Sequence, residues 1–335
     1  MKIVLDAMGS DANPAPDVEG AVRAARELGV TVILVGDENK IKSELAKHKT
    51  DGLDLPIVHA PTTIGMTEHV EAVKEKKDCS MNLGMKLVKE KQAAAFVTAG
   101  NTGAAMAAAI VGPFALGRIK GIKRPALTTT LPTATGSTLV LDIGANADVK
   151  PEYLYQFAIM GSIYSEKCLG VDKPRVGLLS NGEEEGKGPM VVRDAYALLK
   201  TSPINFVGNA EGRDIPKGTM DVIVCDGYVG NVVIKLSESL AKTLVGFIKD
   251  EIKKRPIAIV GAALAKPAFD ALKLRLDPAE YGGGVLLGVD GIVIIGHGSS
   301  NAKAIKNAIR VAKQAVEGNV VERIRDGLSK DTTAA

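Results

Sequence analysis

The chain has 335 residues, 46% of them hydrophobic, enough to core one large domain or two modest ones. Aromatic residues make up 4%, there is no Trp and the net charge is +3, which argues against stacking platforms for single-stranded nucleic acid and against a basic nucleic-acid footprint. Cys79, Cys168 and Cys225 are widely spaced, without the close Cys and His partners of a zinc site, and point to a reducing, cytoplasmic compartment.

The opening MKIVLDAMG reads as a strand over Lys2–Asp6 that runs straight into the fold, so no signal peptide is expected. A helix is predicted over 17–28, a strand over 30–35 and a helix over 38–47. A strand over 94–98 leads into a short Ala/Met helix over 104–110. Further strands fall at 137–142, 175–180, 221–226 and 291–295, and a long helix covers roughly 301–325. The strands are short and apolar throughout, as strands buried on both faces are. Alternation of this kind predicts an α/β fold with a doubly wound, mostly parallel sheet. No linker or composition break divides it, so residues 1–335 are taken as one domain, with 240–280 as a helical excursion and 329–335 as a frayed tail. No stretch reaches the ~20 apolar residues that span a bilayer.

One theme recurs five times: an apolar strand, a Gly/Asn/Ser/Asp loop, then a helix start. The loops are Asp6-Ala7-Met8-Gly9-Ser10-Asp11, Thr98-Ala99-Gly100-Asn101-Thr102-Gly103, Asp142-Ile143-Gly144-Ala145-Asn146, Cys225-Asp226-Gly227-Tyr228-Val229-Gly230-Asn231 and Gly296-His297-Gly298-Ser299-Ser300-Asn301. If every strand points the same way, these loops gather at one carboxyl edge, where open α/β sheets bind ligands. Taken singly, each loop is equally a turn with a helix cap. The turn before the 104–110 helix suits an anion, because free N–H groups and the helix dipole face it. His297, Gly298, Ser299 and Ser300 open the last long helix in the same manner.

Gly182-Glu183-Glu184-Glu185-Gly186-Lys187-Gly188 imitates a P-loop but is one residue short between the glycines and lacks the Ser/Thr for Mg²⁺. No GxGxxG follows a strand, so a dinucleotide site is unsupported. Lys187 is either a mobile point charge for phosphate or a solvated partner of Glu183–Glu185.

On the segments DAMGSD (6–11), TAGNTGA (98–104), RIKGIKRPAL (118–127), LDIGANADVKPE (141–152), NGEEEGKG (181–188), CDGYVGNVVIK (225–235), YGGGVLLG (281–288) and HGSSNAKAIKNAI (297–309), the chain resembles the phosphate acyltransferase family of bacterial phospholipid synthesis. The resemblance covers nearly the whole length in order and spacing. Ser10 stands where that family usually has Gly, and Thr98 where it usually has Ser. The resemblance implies transfer of a long-chain acyl group from acyl-[acyl carrier protein] to inorganic phosphate, giving acyl phosphate for phosphatidic acid and phospholipid synthesis. It also implies no cofactor, no obligatory metal, a homodimer, and a fold similar to isocitrate/isopropylmalate dehydrogenases and phosphotransacetylases.

Under that resemblance, Lys187 and Asn231 are the catalytic residues: Lys187 offsets charge on phosphate or the oxyanion, and Asn231 donates an amide hydrogen bond to the tetrahedral intermediate. Gly9, Ser10, Gly100, Asn101, Thr102, Gly103, Asn146, His297, Gly298, Ser299 and Ser300 are expected to cradle phosphate or substrate. Asp6, Asp142 and Asp226 orient loops. A covalent route through Cys225 is the rival mechanism, and Asp226 beside it would push the thiol pKa the wrong way. The segment 256–276 is apolar and flanked by Lys253, Lys254, Arg255, Lys273 and Arg275; it suits shallow insertion among anionic headgroups through Ile259 and Leu264, or a buried dimer hairpin. Peripheral membrane contact, and contact there with the downstream membrane acyltransferase, follow from the resemblance. Arg118, Lys120, Lys123 and Arg124 form a basic loop that either docks the acidic carrier protein or is simply solvated. Three other readings remain: a short-chain phosphotransacylase using coenzyme A, a metal- and NAD-dependent dehydrogenase, and a membrane scaffold without activity.

Overall fold

The computed structural model describes residues 1–331, with side chains to Leu328. The elements in chain order are β1 (Lys2–Asp6), α1 (Ala15–Leu28), β2 (Thr31–Gly36), α2 (Glu38–Leu45), β3 (Ile57–His59), α3 (Ala72–Glu75), α4 (Ser80–Lys89), β4 (Ala95–Thr98) and α5 (Thr102–Ile110). Then come β5 (Ala126–Pro132), β6 (Ser137–Leu141), α6 (Pro151–Cys168), β7 (Val176–Leu179), α7 (Met190–Lys200), β8 (Phe206–Ala210), α8 (Asp214–Lys217) and β9 (Val222–Val224). Three exposed helices, α9 (Gly227–Lys253), α10 (Pro256–Leu264) and α11 (Lys266–Leu276), precede β10 (Gly284–Leu287), β11 (Ile292–Ile295), α12 (Ala302–Glu317) and α13 (Val320–Asp331).

The expected long last helix is two helices, broken at Gly318–Asn319, where Asn319 takes a left-handed φ of 48°. Of the expected tail 329–335, residues 329–331 continue α13 and the rest lies outside the described residues.

Eleven strands form one sheet in the order β3-β2-β1-β4-β11-β10-β5-β6-β9-β7-β8. Successive residues of β1 point to opposite faces and both faces are covered. Ile3 and Leu5 pack with α1, α6 and α12; Val4 packs with α4 and α5. That two-sided burial is why the strands read as unbroken apolar runs.

The strands do not all point the same way, which corrects the sequence reading. β3, β2, β1, β4 and β11 are parallel, and so are β6, β9, β7 and β8. Between the two sets, β10 is antiparallel to both β11 and β5, and β5 is antiparallel to β6. Three reversals leave the second set running opposite to the first. The carboxyl ends of β6, β9 and β7 therefore lie on the same sheet edge as the amino ends of β11, β4 and β1, with β10 and β5 between them.

Candidate active site

The edge formed by β6, β9 and β7 collects Asp142, Asn146, Asp226, Asn231 and Lys187. Asp142 is buried at the end of β6, after a cis Leu141–Asp142 peptide. One carboxylate oxygen accepts the N–H groups of Leu127 (3.1 Å), Gly144 (3.2 Å) and Ala145 (2.9 Å). The other accepts the Asn146 N–H at 2.7 Å and its side-chain amide at 2.8 Å. Burial pushes the Asp142 carboxyl up and these bonds oppose it. The Asn146 amide also donates to the Pro125 carbonyl at 2.7 Å, so this amide works as a loop clamp.

Asp226 caps α9 by accepting the Val229 N–H at 2.8 Å. The first turn of α9 lies directly on the 142–146 loop: the Gly227 N–H donates to Asn146 O at 2.7 Å. A Cβ at Gly230 would stand 1.8 Å from Asp142 O, so only glycine permits this approach. The next residue, Asn231, is half-buried and points its amide toward Gly144, 3.8 Å from where a Cβ there would stand. No hydrogen bond engages the Asn231 side chain among the described residues. Cys225 is buried beneath, its thiol pushed well up by burial and by Asp226 and Asp142, which disfavours a thiolate nucleophile.

Lys187 projects from the loop after β7. The three glutamates beside it are held from outside the loop: Glu183 pairs with Arg213 (3.0 Å), Glu185 pairs with Lys200 (2.9 Å), and the Glu184 carbonyl accepts the Asn209 amide (2.8 Å). The exposed Lys187 ammonium has no ion pair among the described residues, so Glu183 and Glu185 are balanced by other cations, while the Glu184 carboxylate flanks Gly182 beside the Lys187 side chain. Asn209, Lys200 and Arg213 were not singled out in the sequence; Asn209 lies on β8, a strand it did not reveal. The carboxylates of Glu183, Glu211 and Asp214 lie within 4.8 Å of one another, with Arg213 bonded to Glu183 and, at 2.6 Å, to Glu211.

A second group forms at the carboxyl ends of β1, β4 and β11. The Thr98 hydroxyl donates to the buried Asp6 carboxylate at 2.8 Å and accepts the Gly100 N–H at 3.0 Å. Gly9 is wedged against both Thr98 and Gly100. Gly9, Ser10 and Gly100 are buried, so they knit turns together rather than line an open cradle. Asn101 caps α5 and also donates to the carbonyls of Met66 (3.0 Å) and Glu68 (3.1 Å), drawing that loop across the helix start, with Gly103 against Val70. The Asp11 N–H donates to Gly298 O at 2.8 Å. His297 Nδ1 and the Ser299 hydroxyl lie 2.9 Å apart; both residues are exposed, as is Thr102, while Ser300 is half-buried beside Gly296. No hydrogen bond or ion pair joins the two groups among the described residues. The five loops thus make two clusters, because the sheet reverses between them.

In the second group the Ser10 hydroxyl donates to buried Asp17 at 2.5 Å, and the other Asp17 oxygen has no hydrogen-bond partner among the described residues. Burial pushes the Asp17 carboxyl up to about 8, with the Asp6 charge adding to the rise and the Ser10 bond opposing it. An acid whose folded pKa is raised favours folding below its unfolded value, and that contribution is lost as pH rises through the folded value. Stability is therefore expected to fall between about pH 4 and about pH 8, by up to about 1.4 kcal/mol per pH unit from this group. Asp17→Asn should flatten that slope in urea unfolding; an unchanged slope would refute the assignment.

The basic loop flanks the first group. Ile119 and Ile122 are buried anchors, while Arg118, Lys120, Lys123 and Arg124 are exposed. Gln156 accepts from the Lys123 N–H (2.8 Å) and donates to Gly121 O (2.9 Å), and Arg118 donates to Lys123 O. The loop then enters Pro125, whose carbonyl holds Asn146.

The fatty acid synthesis protein family matches residues 1–323. A phosphate acyltransferase of Pelotomaculum thermopropionicum is 53% identical over 329 residues, covering 98% of this chain and 95% of that one. One from Geobacter sulfurreducens is 49% identical over 335 residues, covering 100% and 96%. Among solved structures, the EutD phosphotransacetylase from Staphylococcus aureus is similar in fold, with a TM-score of 0.59, 17% identity and 94% of each chain covered. So is a phosphotransacetylase from Streptococcus pyogenes, with a TM-score of 0.59, 19% identity and 95% and 94% covered.

Proposed function

This chain belongs to the fatty acid synthesis protein family and is an acyltransferase acting on phosphate, and from that premise we propose that its donor is a long-chain acyl-[acyl carrier protein] and its product an acyl phosphate for phosphatidic acid synthesis. A phosphate oxygen attacks the thioester carbonyl, a C–O bond forms, and the tetrahedral oxyanion collapses as the C–S bond breaks and the carrier thiolate leaves. Phosphate supplies the nucleophile and a thiol of pKa near ~8.5 leaves readily, so the protein's task is to hold both reactants and stabilise the oxyanion.

The observation that carries this reading is the two uncommitted groups on the helix and the loop that follow the neighbouring strands β9 and β7, the Asn231 amide and the Lys187 ammonium. Asn231 donates to the oxyanion and Lys187 neutralises phosphate. Asp142, Asn146 and Asp226 hold the loop and helix that place Asn231. In the other group Ser10, Thr98 and Asn101 are already bonded to their neighbours, which leaves Thr102, His297 and Ser299 as the donors for an anion there.

The test is a phosphate-dependent assay with palmitoyl-carrier protein, trapping acyl phosphate with hydroxylamine and titrating the freed thiol. Stoichiometric product and thiol, both requiring phosphate, are expected. Product from acyl-coenzyme A alone would favour a short-chain transacylase, and silence with both would overturn the reading.

The exposed helices carry the proposed dimer and membrane contacts. Only Gly227 and Gly230 of α9 are buried, and no residue of α10 or α11 is. Leu236, Leu240, Leu244 and Ile248 recur every four residues on α9, one exposed apolar stripe that a second copy would cover. Ile257 is 88% exposed and Leu264 81% at the far end, suiting shallow insertion into an anionic bilayer. No helix among the described residues is long and apolar enough to cross a membrane. Changing Ile259 and Leu264 together to Asp is expected to abolish flotation with vesicles containing anionic lipid; unchanged flotation would refute membrane contact.

A further inference from the structure

A cleft of about 800 Å³ opens at the amino ends of β1, β4 and β11. Its charged lining is Lys2, Lys89, Lys91, Arg325, Asp290 and Glu322. Arg325 is paired with Asp290 at 2.7 Å. Lys2, Lys89 and Lys91 are exposed and have no ion pair among the described residues. Lys91 follows the end of α4 with a left-handed φ of 58°, a conformation that non-glycine residues take at a cost of about 1–2 kcal/mol.

The basic loop leads from this cleft to the Asn146 clamp on the far side of β10 and β5. Leu116 lines the cleft wall, and the Asp290 N–H on its rim donates to Gly117 O at 2.9 Å. The next residue begins the basic loop, where Arg118 bridges to Val289, and that loop ends at the Pro125 carbonyl that clamps Asn146. The strand reversal puts these features on one sheet edge, the amino ends of the first set and the carboxyl ends of the second being separated there by β10 and β5. Uncompensated cations run along this edge of a chain whose net charge is only +3.

We propose that the Lys2–Lys89–Lys91 cleft and the 118–124 loop together form one docking face for an acidic protein, the carrier that presents the acyl thioester to the Lys187–Asn231 edge. The inference rests on the proposed carrier-bound donor. Charge complementarity favours this occupant: a protein of opposite sign gains steering and orientation from a row of unpaired cations, and the gain falls as salt rises. A small uncharged thioester such as palmitoyl-pantetheine gains neither.

The test compares the intact enzyme with a Lys89→Glu/Lys91→Glu double variant, and with Lys242→Glu/Lys249→Glu on α9 as a control of equal net charge. Binding of holo-acyl carrier protein is titrated at low and high salt. Turnover is measured with palmitoyl-carrier protein and with the uncharged donor palmitoyl-pantetheine. The double variant is expected to weaken carrier binding and raise KM for the carrier substrate by about tenfold or more, with a shallower salt dependence. Its kcat/KM with palmitoyl-pantetheine and its thermal midpoint should stay near those of the control. Unchanged carrier binding overturns the docking face, and so does an equal loss with both donors. Charge-dependent carrier binding in an enzyme that makes no acyl phosphate from either donor would uphold the face while removing the proposed reaction.

Discussion

Asn231→Ala is expected to lower kcat by about 10²–10³-fold, the usual effect of removing one oxyanion donor. Little stability should go with it, because the side chain bonds to no other described group. Surface-type changes of that kind usually stay within about 0.5 kcal/mol. Lys187→Ala should cut turnover and also raise KM for phosphate, since a free ammonium serves both bound phosphate and the charge that develops from it. The double variant should lose less than the product of the single losses, as groups acting on one transition state do. The measurement is steady-state kinetics over a phosphate titration, with urea unfolding as the control. Near-normal turnover in both single variants would remove these residues from the mechanism.

Gly230→Ala is expected to damage fold and activity together. The added methyl would have to occupy a position 1.8 Å from the Asp142 carbonyl oxygen and 3.1 Å from the Cys225 sulfur. Neither neighbour is the loose end of a flexible side chain. Backbone must move, at a cost of about 1–3 kcal/mol or more, and what moves is the helix turn that carries Asn231. Gly246→Ala, in the same helix with nothing within 4 Å of the new atom, should instead stabilise by about 0.5–1 kcal/mol. Denaturation midpoints of the two variants should therefore shift in opposite directions. A Gly230→Ala protein with wild-type midpoint and turnover would mean that the first turn of α9 does not depend on this contact.

The sequence shows the alternation of buried strands and helices because strands covered on both faces are apolar at every position. It conceals β5 and β10. One is Thr-rich and the other opens on glycine, and their role as the reversing pair is set by contacts between distant residues. The Thr128 hydroxyl donates to Val285 O at 3.1 Å and accepts its N–H at 3.0 Å, across 157 positions. Nothing in a local window carries that. Lys187 and Asn231 could be picked out as candidates, since a lysine among glycines and an amide at a helix start are local features. The setting of Lys187 could not be seen, because Arg213 and Lys200, which draw the neighbouring glutamates aside, reach it only in the folded chain.

The 27 residues of α9 extend about 40 Å at 1.5 Å per residue. The root is gripped, by Gly227 and Gly230 against the 142–146 loop and by Val233 against the cluster of Ala210, Ile215 and Ile223. The helix is thus a long arm hinged at its root, with Asn231 beside the pivot. A rocking of about 5° would carry the far end roughly 3.5 Å while shifting Asn231 by only a few tenths of an ångström over that same rise. Whatever the outer helices touch can therefore heave and tilt, and the amide at the root stays in register.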